Sequence, residues 1–216
     1  MLLNRLLQLP SPVGNLALFY QFSTSLSQYQ IDLKDIQELV SIATDDKLYY
    51  GSDREFFAMY YALYAWGALR QVEECPEILA HLNRMNRGDE WISNYINVFE
   101  MLGEKVIPYL IEACRYIKFD LLFILTESLA KLSIQYPTYR EQILNSFDEI
   151  LFRVKSYLDN SEFTAMVESA LLTAWLEMKA FERIEIIRKI ERSHKLGQHI
   201  SCQIDALIKS NSSESV

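Results

Sequence analysis

Glycine and proline are scarce in this sequence, with 6 and 5 of 216 residues. Tight turns depend on these two residues, so the low content argues against sandwiches, barrels and other loop-rich folds. The glycines are never closer than 15 residues apart. Phosphate-binding loops need closely spaced glycines that let backbone N–H groups approach the anion. Both the dinucleotide-binding and the P-loop fingerprints are therefore absent.

Cysteine and histidine are equally rare, with three of each. Cys75, Cys114 and Cys202 are too far apart to suggest a disulfide framework or a paired metal motif. A reducing, cytoplasmic location fits this usage best. His194 and His199 lie near Cys202, but their spacing does not align two ligands on one helix, and we interpret them as a solvated helix end. The sequence predicts no metal and no cofactor.

Positive charge and long apolar runs are also lacking. The net charge is −8 and the calculated pI is about 5.0, which opposes nucleic acid as the main partner. No apolar run approaches the roughly 18 residues of a membrane-spanning helix. The acidity is concentrated between Asp53 and Glu149, where nine basic residues face 15 acidic ones. Either a basic protein partner or good solubility explains this imbalance.

No catalytic motif stands out. The G-x-S-x-G elbow of serine hydrolases is absent, and the cysteines lie in partly apolar, helix-like segments where they serve as small hydrophobic residues. Pairs of carboxylates occur, but acid–base catalysis needs an environment-shifted pKa that sequence does not reveal. We therefore predict that the protein is not an enzyme.

The dominant pattern along the chain is the period of an amphipathic helix. Asp32 is placed to cap one helix, and Ser52 with Glu55 forms the capping-box pattern at the start of another. The latter helix, running to about Arg70, is apolar on nearly all sides and should be buried by several other helices. No segment alternates as a strand does, so we predict an all-α protein.

The helices come in pairs. Three first members share similar apolar strings that end at Leu69, Leu102 and Leu132, with spacings of 33 and 30 residues. A helix pair repeated at this interval is typical of an α-solenoid, here with about 9–10 helices. A plain helical bundle is the alternative.

Three short motifs support the repeat reading: Tyr64-Ala-Trp-Gly-Ala-Leu69 before Pro76, Gly88-Asp89, and Leu102-Gly103 before Val106-Ile-Pro108. On these motifs the sequence resembles HEAT-like repeat proteins, particularly an uncharacterised bacterial family, over roughly Asp53 to Leu158. The resemblance implies a right-handed α-solenoid of the HEAT/armadillo type, built from antiparallel helix pairs.

The expected organisation is a single helical-repeat domain over 1–210. Within it, 1–50 would form N-terminal capping helices, 53–158 the HEAT-like pairs and 160–210 the C-terminal helices. Residues 211–216 are expected to form a disordered polar tail.

In HEAT-like arrays, the resemblance implies, the second helix of each pair lines a concave surface that binds partners. The candidate partner-binding residues here lie on the non-core faces of three such helices and are acidic, aromatic or polar. They are Glu77, His81, Tyr109, Glu112, Tyr116, Glu141, Asn145 and Asp148. Together they would form an acidic groove with tyrosine anchors, suited to a basic protein segment.

Two other functions remain open from sequence. The first is a helical-repeat enzyme or small-ligand binder, similar to the chromophore lyases among HEAT-like proteins. The second is an acidic inhibitor or immunity-type protein that caps one basic partner. The oligomeric state is also open.

Overall fold

The computed structural model describes residues 2–86, 88–157, 161–193 and 198–213. Over these residues the regular structure is entirely helical and contains no strand, which confirms the all-α prediction. The described helices include none that is both long and apolar enough to cross a bilayer. The contacts divide the chain into two compact units, Met1–Tyr109 and Leu110–Val216.

Among its described residues, the first unit has seven α-helices, some joined by short 3₁₀ turns. They are α1 (Leu2–Leu6), α2 (Ala17–Ser23), α3 (Ile36–Ala43), α4 (Asp46–Tyr49), α5 (Asp53–Leu69), α6 (Cys75–Leu82) and α7 (Asn94–Leu102). The boundary between the units falls within α8 (Ile107–Ala113). The second unit continues with α9 (Leu122–Gln135), α10 (Arg140–Tyr157), α11 (Ser161–Glu177), α12 (Ile184–Ser193) and α13 (Gln198–Ser213).

Helix α5 is the centre of the first unit. Every residue from Phe57 to Gly67 is buried, because α1, α2, α3, α4 and α7 all contact this helix. At its start, the Ser52 backbone N–H donates to Glu55 at 2.8 Å, as the predicted capping box requires. The sequence therefore predicted both the beginning and the burial of α5 correctly.

Glycine is needed where α5 meets α7. A Cβ atom on Gly67 would lie 2.9 Å from Val98 Cγ1 and 3.3 Å from the Val98 carbonyl oxygen. Such distances are shorter than ordinary van der Waals contacts. The absence of a side chain at Gly67 therefore permits the close packing of these two helices.

The second unit is organised around α11, which contacts α9, α10, α12 and α13. Its largest fully buried side chains are Trp175 on α11 and Phe147 on α10. Both are on faces that the apolar period of their helices directs inward.

Turns occupy much of the chain between the end of α6 at Leu82 and the start of α7 at Asn94. Helix α13 continues to Ser213, through the start of the predicted disordered tail, and 214–216 lie outside the described residues.

Candidate functional site

The predicted binding face on α6 is divided by the fold. Glu77 is exposed, whereas His81, one turn later, has only 1% of its surface accessible. The His81 Nδ1 atom lies 3.0 Å from the Tyr95 hydroxyl oxygen, and Nε2 lies 3.5 Å from Asp46 Oδ1. The prediction that His81 faces a partner is therefore wrong; His81 belongs to the core of the first unit.

The protonation state of His81 follows from this environment. Burial, reinforced by the positive charge of Arg84, lowers the pKa of His81 to about 4, against the opposing carboxylates of Asp46 and Asp45. Burial also raises the pKa of Tyr95 far above its usual range, so its hydroxyl keeps its proton. Tyr95 therefore donates to Nδ1 of a neutral imidazole, and the remaining N–H, on Nε2, faces Asp46.

Further tyrosine hydroxyls in the first unit are paired beneath the surface. Tyr60 donates to Asp89 Oδ2 at 3.2 Å, and Tyr64 donates to Asn94 Oδ1 at 2.8 Å. Asn97 donates to the Tyr64 hydroxyl at 3.2 Å. The sequence placed these tyrosines in the core but did not reveal their partners. A signal was present, since Asn94 and Asn97 are polar residues three apart in a mostly apolar helix.

This buried network is suited to holding helices together. Burial raises the pKa of the Tyr60 and Tyr64 hydroxyls well above their usual range, so both stay neutral. A neutral, 1% exposed His81 offers no general base to a molecule in solvent. We therefore assign the network a structural role, in which each buried hydroxyl finds a partner.

The predicted residues of α10 come together, but around an arginine of the same unit. Arg183 Nε donates to Asp148 Oδ2 at 2.9 Å, and Arg183 Nη2 donates to Asn145 Oδ1 at 3.2 Å. Glu141 lies 3.7 Å from the same guanidinium. The prediction of a free acidic face at Glu141, Asn145 and Asp148 therefore needs correction, because Arg183 compensates much of its charge.

The predicted residues on and after α8 also have charged neighbours. Glu112 accepts from Arg115 Nη1 at 2.6 Å, and Arg115 also reaches Glu149 at 3.3 Å. Tyr116 is 50% exposed and lies in the second unit. Tyr109 is partly exposed and ends the first unit.

The acidic groups at the start of α6 are different. Glu74 Oε1 accepts from the Gln37 side-chain amide at 2.8 Å. The Thr44 hydroxyl oxygen lies 3.3 Å from Glu77 Oε1 and closer, at 2.9 Å, to the Val40 carbonyl oxygen. Over the described residues, no lysine or arginine nitrogen lies within 4.0 Å of either carboxylate. Glu77 is one of the residues predicted from sequence, whereas Glu74, which directly precedes α6, is not. We call Glu74 and Glu77, with Gln37 and Thr44 beside them, the α6 acidic face.

The part of the chain that the structure describes contains no group of three or more histidine, cysteine or acidic residues placed to hold a metal ion. His194 lies outside the described residues. Burial raises the pKa of the Cys75 and Cys114 thiols to about 12, so both are neutral at pH 7. Such thiols are poor nucleophiles and poor metal ligands.

Comparisons with known protein families, with curated proteins and with solved structures found no match. The function proposed below therefore rests on the geometry and charge of this chain alone.

Proposed function

We propose that this protein is a non-catalytic interaction module that binds a basic segment of another protein through the α6 acidic face. The supporting observation is that the side chains beside Glu74 and Glu77, Gln37 and Thr44, are neutral, and that among the described residues no lysine or arginine nitrogen lies within 4.0 Å of either carboxylate. In contrast, the predicted acidic residues of the second unit form ion pairs: Asp148 with Arg183, and Glu112 with Arg115. The α6 acidic face thus keeps the charge that a basic partner requires.

The Glu74 carboxylate has unused capacity to accept hydrogen bonds. It is half-buried, and its Oε2 atom has no hydrogen-bond partner. An ionised carboxylate accepts up to about four hydrogen bonds, and an unmet acceptor shielded from water is unfavourable. An arginine or lysine side chain that reaches this carboxylate would supply the missing donor.

A local role for these two carboxylates is also expected, because they stand at the N-terminal end of α6. Negative charge there complements the helix dipole by roughly 0.3–1 kcal/mol. That contribution acts on stability rather than on binding, so an experiment that measures both quantities separates the two roles.

We also propose that the helices within each unit are arranged as in HEAT-like repeats. Alternate helices contact each other in each unit: α3 with α5 and α5 with α7 in the first, and α9 with α11 and α11 with α13 in the second. Stacking of every second helix is what antiparallel helix pairs produce in a solenoid. This pattern supports the proposed HEAT-like arrangement within each unit.

The test compares two double variants of equal net charge. Glu74→Gln with Glu77→Gln removes the α6 acidic face. Glu90→Gln with Glu104→Gln neutralises two exposed carboxylates elsewhere in the first unit. Fluorescence anisotropy would measure binding of a labelled helical peptide of arginine, lysine and leucine, with thermal midpoints recorded for every variant.

We expect the first double variant to weaken peptide binding about tenfold and the second to change it less than threefold. Equal weakening would mean that binding follows net charge alone and that the α6 acidic face is not the site. Absence of peptide binding to the unaltered protein would contradict the proposed function itself.

A further inference from the structure

A second polar feature, unrelated to the α6 acidic face, lies in the second unit. A cavity of about 300 Å³ is lined by residues of α10 and of the segment that follows α8. The lining residues are Cys114, Arg115, Ser146, Glu149, Ile150, Phe152 and Arg153. Pockets for small ligands start at about this size.

Arg153 is the unusual member of this lining. Its Nε and Nη2 atoms are both shielded from solvent and have no hydrogen-bond partner. Buried donors are normally paired, and an unpaired donor on a charged group is especially unfavourable. The unit itself therefore leaves this guanidinium incompletely satisfied.

The two unpaired donors lie on the same edge of the guanidinium plane. Nε–H and Nη2–H point in parallel and match the two oxygens of one carboxylate, which gives the strong bidentate pairing typical of arginine. The Phe119 ring lies 4.7 Å from the guanidinium carbon. This cation–π contact stabilises the positive charge, but it provides no acceptor for the N–H groups.

Of the two arginines that line the cavity, only Arg115 has a carboxylate partner among the described residues. Arg115 is engaged by Glu112 at 2.6 Å and by Glu149 at 3.3 Å. Among the described residues, no carboxylate lies within ion-pair distance of Arg153. Glu112 and Glu149 thus both pair with Arg115, and Arg153 has no carboxylate partner of its own in the described part of the chain, although burial lowers its pKa from the usual value.

The rest of the lining suits a short apolar tail. Ile150 is buried, Phe152 is 75% exposed, and the Cys114 thiol is buried and neutral because burial raises its pKa to about 12. The Ser146 hydroxyl already donates to the Ile143 carbonyl oxygen at 2.7 Å. The cavity therefore combines the Arg153 guanidinium with mainly apolar walls.

We propose that this cavity binds a small organic monocarboxylate with a short hydrocarbon chain. Nε and Nη2 of Arg153 are shielded from solvent in the described fold, so the guanidinium turns toward the cavity when the ligand binds. The carboxylate then accepts hydrogen bonds from both atoms, and the chain packs against Ile150, Phe152 and Cys114. This site lies in the second unit and is independent of the proposed protein partner, which binds the first unit.

The test uses three probes of the same chain length: hexanoate, hexanol and hexylammonium. Isothermal titration calorimetry would measure their affinities, and ¹⁵N NMR of arginine side chains would follow the Nε–H signals. We expect hexanoate to bind at least about tenfold more tightly than either other probe, as a charge-assisted pair predicts. One Nε–H signal, absent from the spectrum of Arg153→Lys, should shift when hexanoate is added.

Arg153→Lys keeps the charge but loses the two-donor edge, so hexanoate affinity should fall about tenfold or more. Arg192→Lys changes an exposed arginine of the same unit and should leave the affinity unchanged. Equal binding of hexanoate and hexanol, or no binding of hexanoate, would overturn the proposal without any variant. Unchanged affinity in a folded Arg153→Lys protein would overturn it as well.

Discussion

The Nδ1 atom of His81 lies 3.0 Å from the hydroxyl oxygen of Tyr95, 14 residues away in the chain. Both side chains are buried, His81 at 1% and Tyr95 at 0% accessibility. The contact joins α6 and α7 through a single hydrogen bond between neutral groups. It explains why a histidine that the helical period assigns to the surface is found in the core.

The first prediction concerns acid. The pKa of His81 is about 4 in the folded protein and about 6.5 in an unfolded chain. Between these values the unfolded state binds more protons, so stability is lost as the pH falls from about 6.5 to about 4. This difference corresponds to about 3 kcal/mol from His81. Urea denaturation from pH 7 to pH 4.5, monitored by tryptophan fluorescence, measures the loss.

The variant His81→Gln provides the comparison for this pH dependence. It is expected to be less stable at pH 7, because a well-packed core group is replaced, but to lose less stability on acidification. Carboxylates that titrate elsewhere contribute equally to both proteins. An identical pH slope in the two proteins would show that the pKa of His81 in the fold equals its value in the unfolded chain, and would contradict the prediction.

The second prediction removes the other half of the pair. Tyr95→Phe leaves His81 Nδ1 buried without its donor and should lower the free energy of unfolding by about 1–3 kcal/mol. Tyr50→Phe is the matched control, because Tyr50 is 76% exposed, and it should change stability by less than about 0.5 kcal/mol. Equal effects of the two substitutions, measured by urea denaturation, would contradict the buried hydrogen bond.

The third prediction tests the contact of α5 with α7. Gly67→Ala places a methyl group 2.9 Å from Val98 Cγ1, and the strain should exceed the roughly 1 kcal/mol that alanine gains over glycine within a helix. We expect a net loss of about 1–2 kcal/mol in thermal or urea unfolding.

Gly88→Ala is the control for this substitution, because the nearest atom to its Cβ would be 3.5 Å away. Its stability should stay within about 0.5 kcal/mol of the unaltered protein. A stabilised Gly67→Ala protein would show that Val98 moves aside at little cost.

The fourth prediction concerns Arg183. Arg183→Met leaves Asp148 partly buried without its cation, and we expect the second unit to lose about 1–3 kcal/mol at pH 7. Burial already raises the pKa of Asp148 despite the presence of Arg183. Without the arginine this pKa should rise further, so part of the loss should disappear on acidification, when Asp148 is neutral.

Arg115→Met serves as the comparison for Arg183→Met, since Arg115 pairs with glutamates at an exposed position. Exposed ion pairs contribute roughly 0–1 kcal/mol, so its effect should be small. Similar losses in the two variants, followed by circular dichroism during urea unfolding, would contradict the assignment of Arg183 as the cation that holds α10.

The sequence alone determined the helical class, the capping box at Ser52 and Glu55, and the burial of α5 on all sides. These features depend on neighbours within one or two helical turns, and apolar periodicity reports such neighbours directly. Helical periodicity does not locate the end of α6 or the start of α7, because the chain between Leu82 and Asn94 is rich in polar residues and has no periodic pattern of its own.

The tertiary structure alone decided which polar groups meet. Helical spacing placed His81 with Glu77, and Asp148 with Glu141, on surfaces of their own helices. Helical spacing does not show that Tyr95 packs on His81. It also does not show that Arg183, 35 positions beyond Asp148, pairs with the Asp148 carboxylate. Pairings between distant segments depend on how the helices pack, because a side chain's charge and burial are set by the elements that surround it. The same reason applies to Arg153, an ordinary charged residue in the sequence whose unpaired donors become visible only in the folded unit.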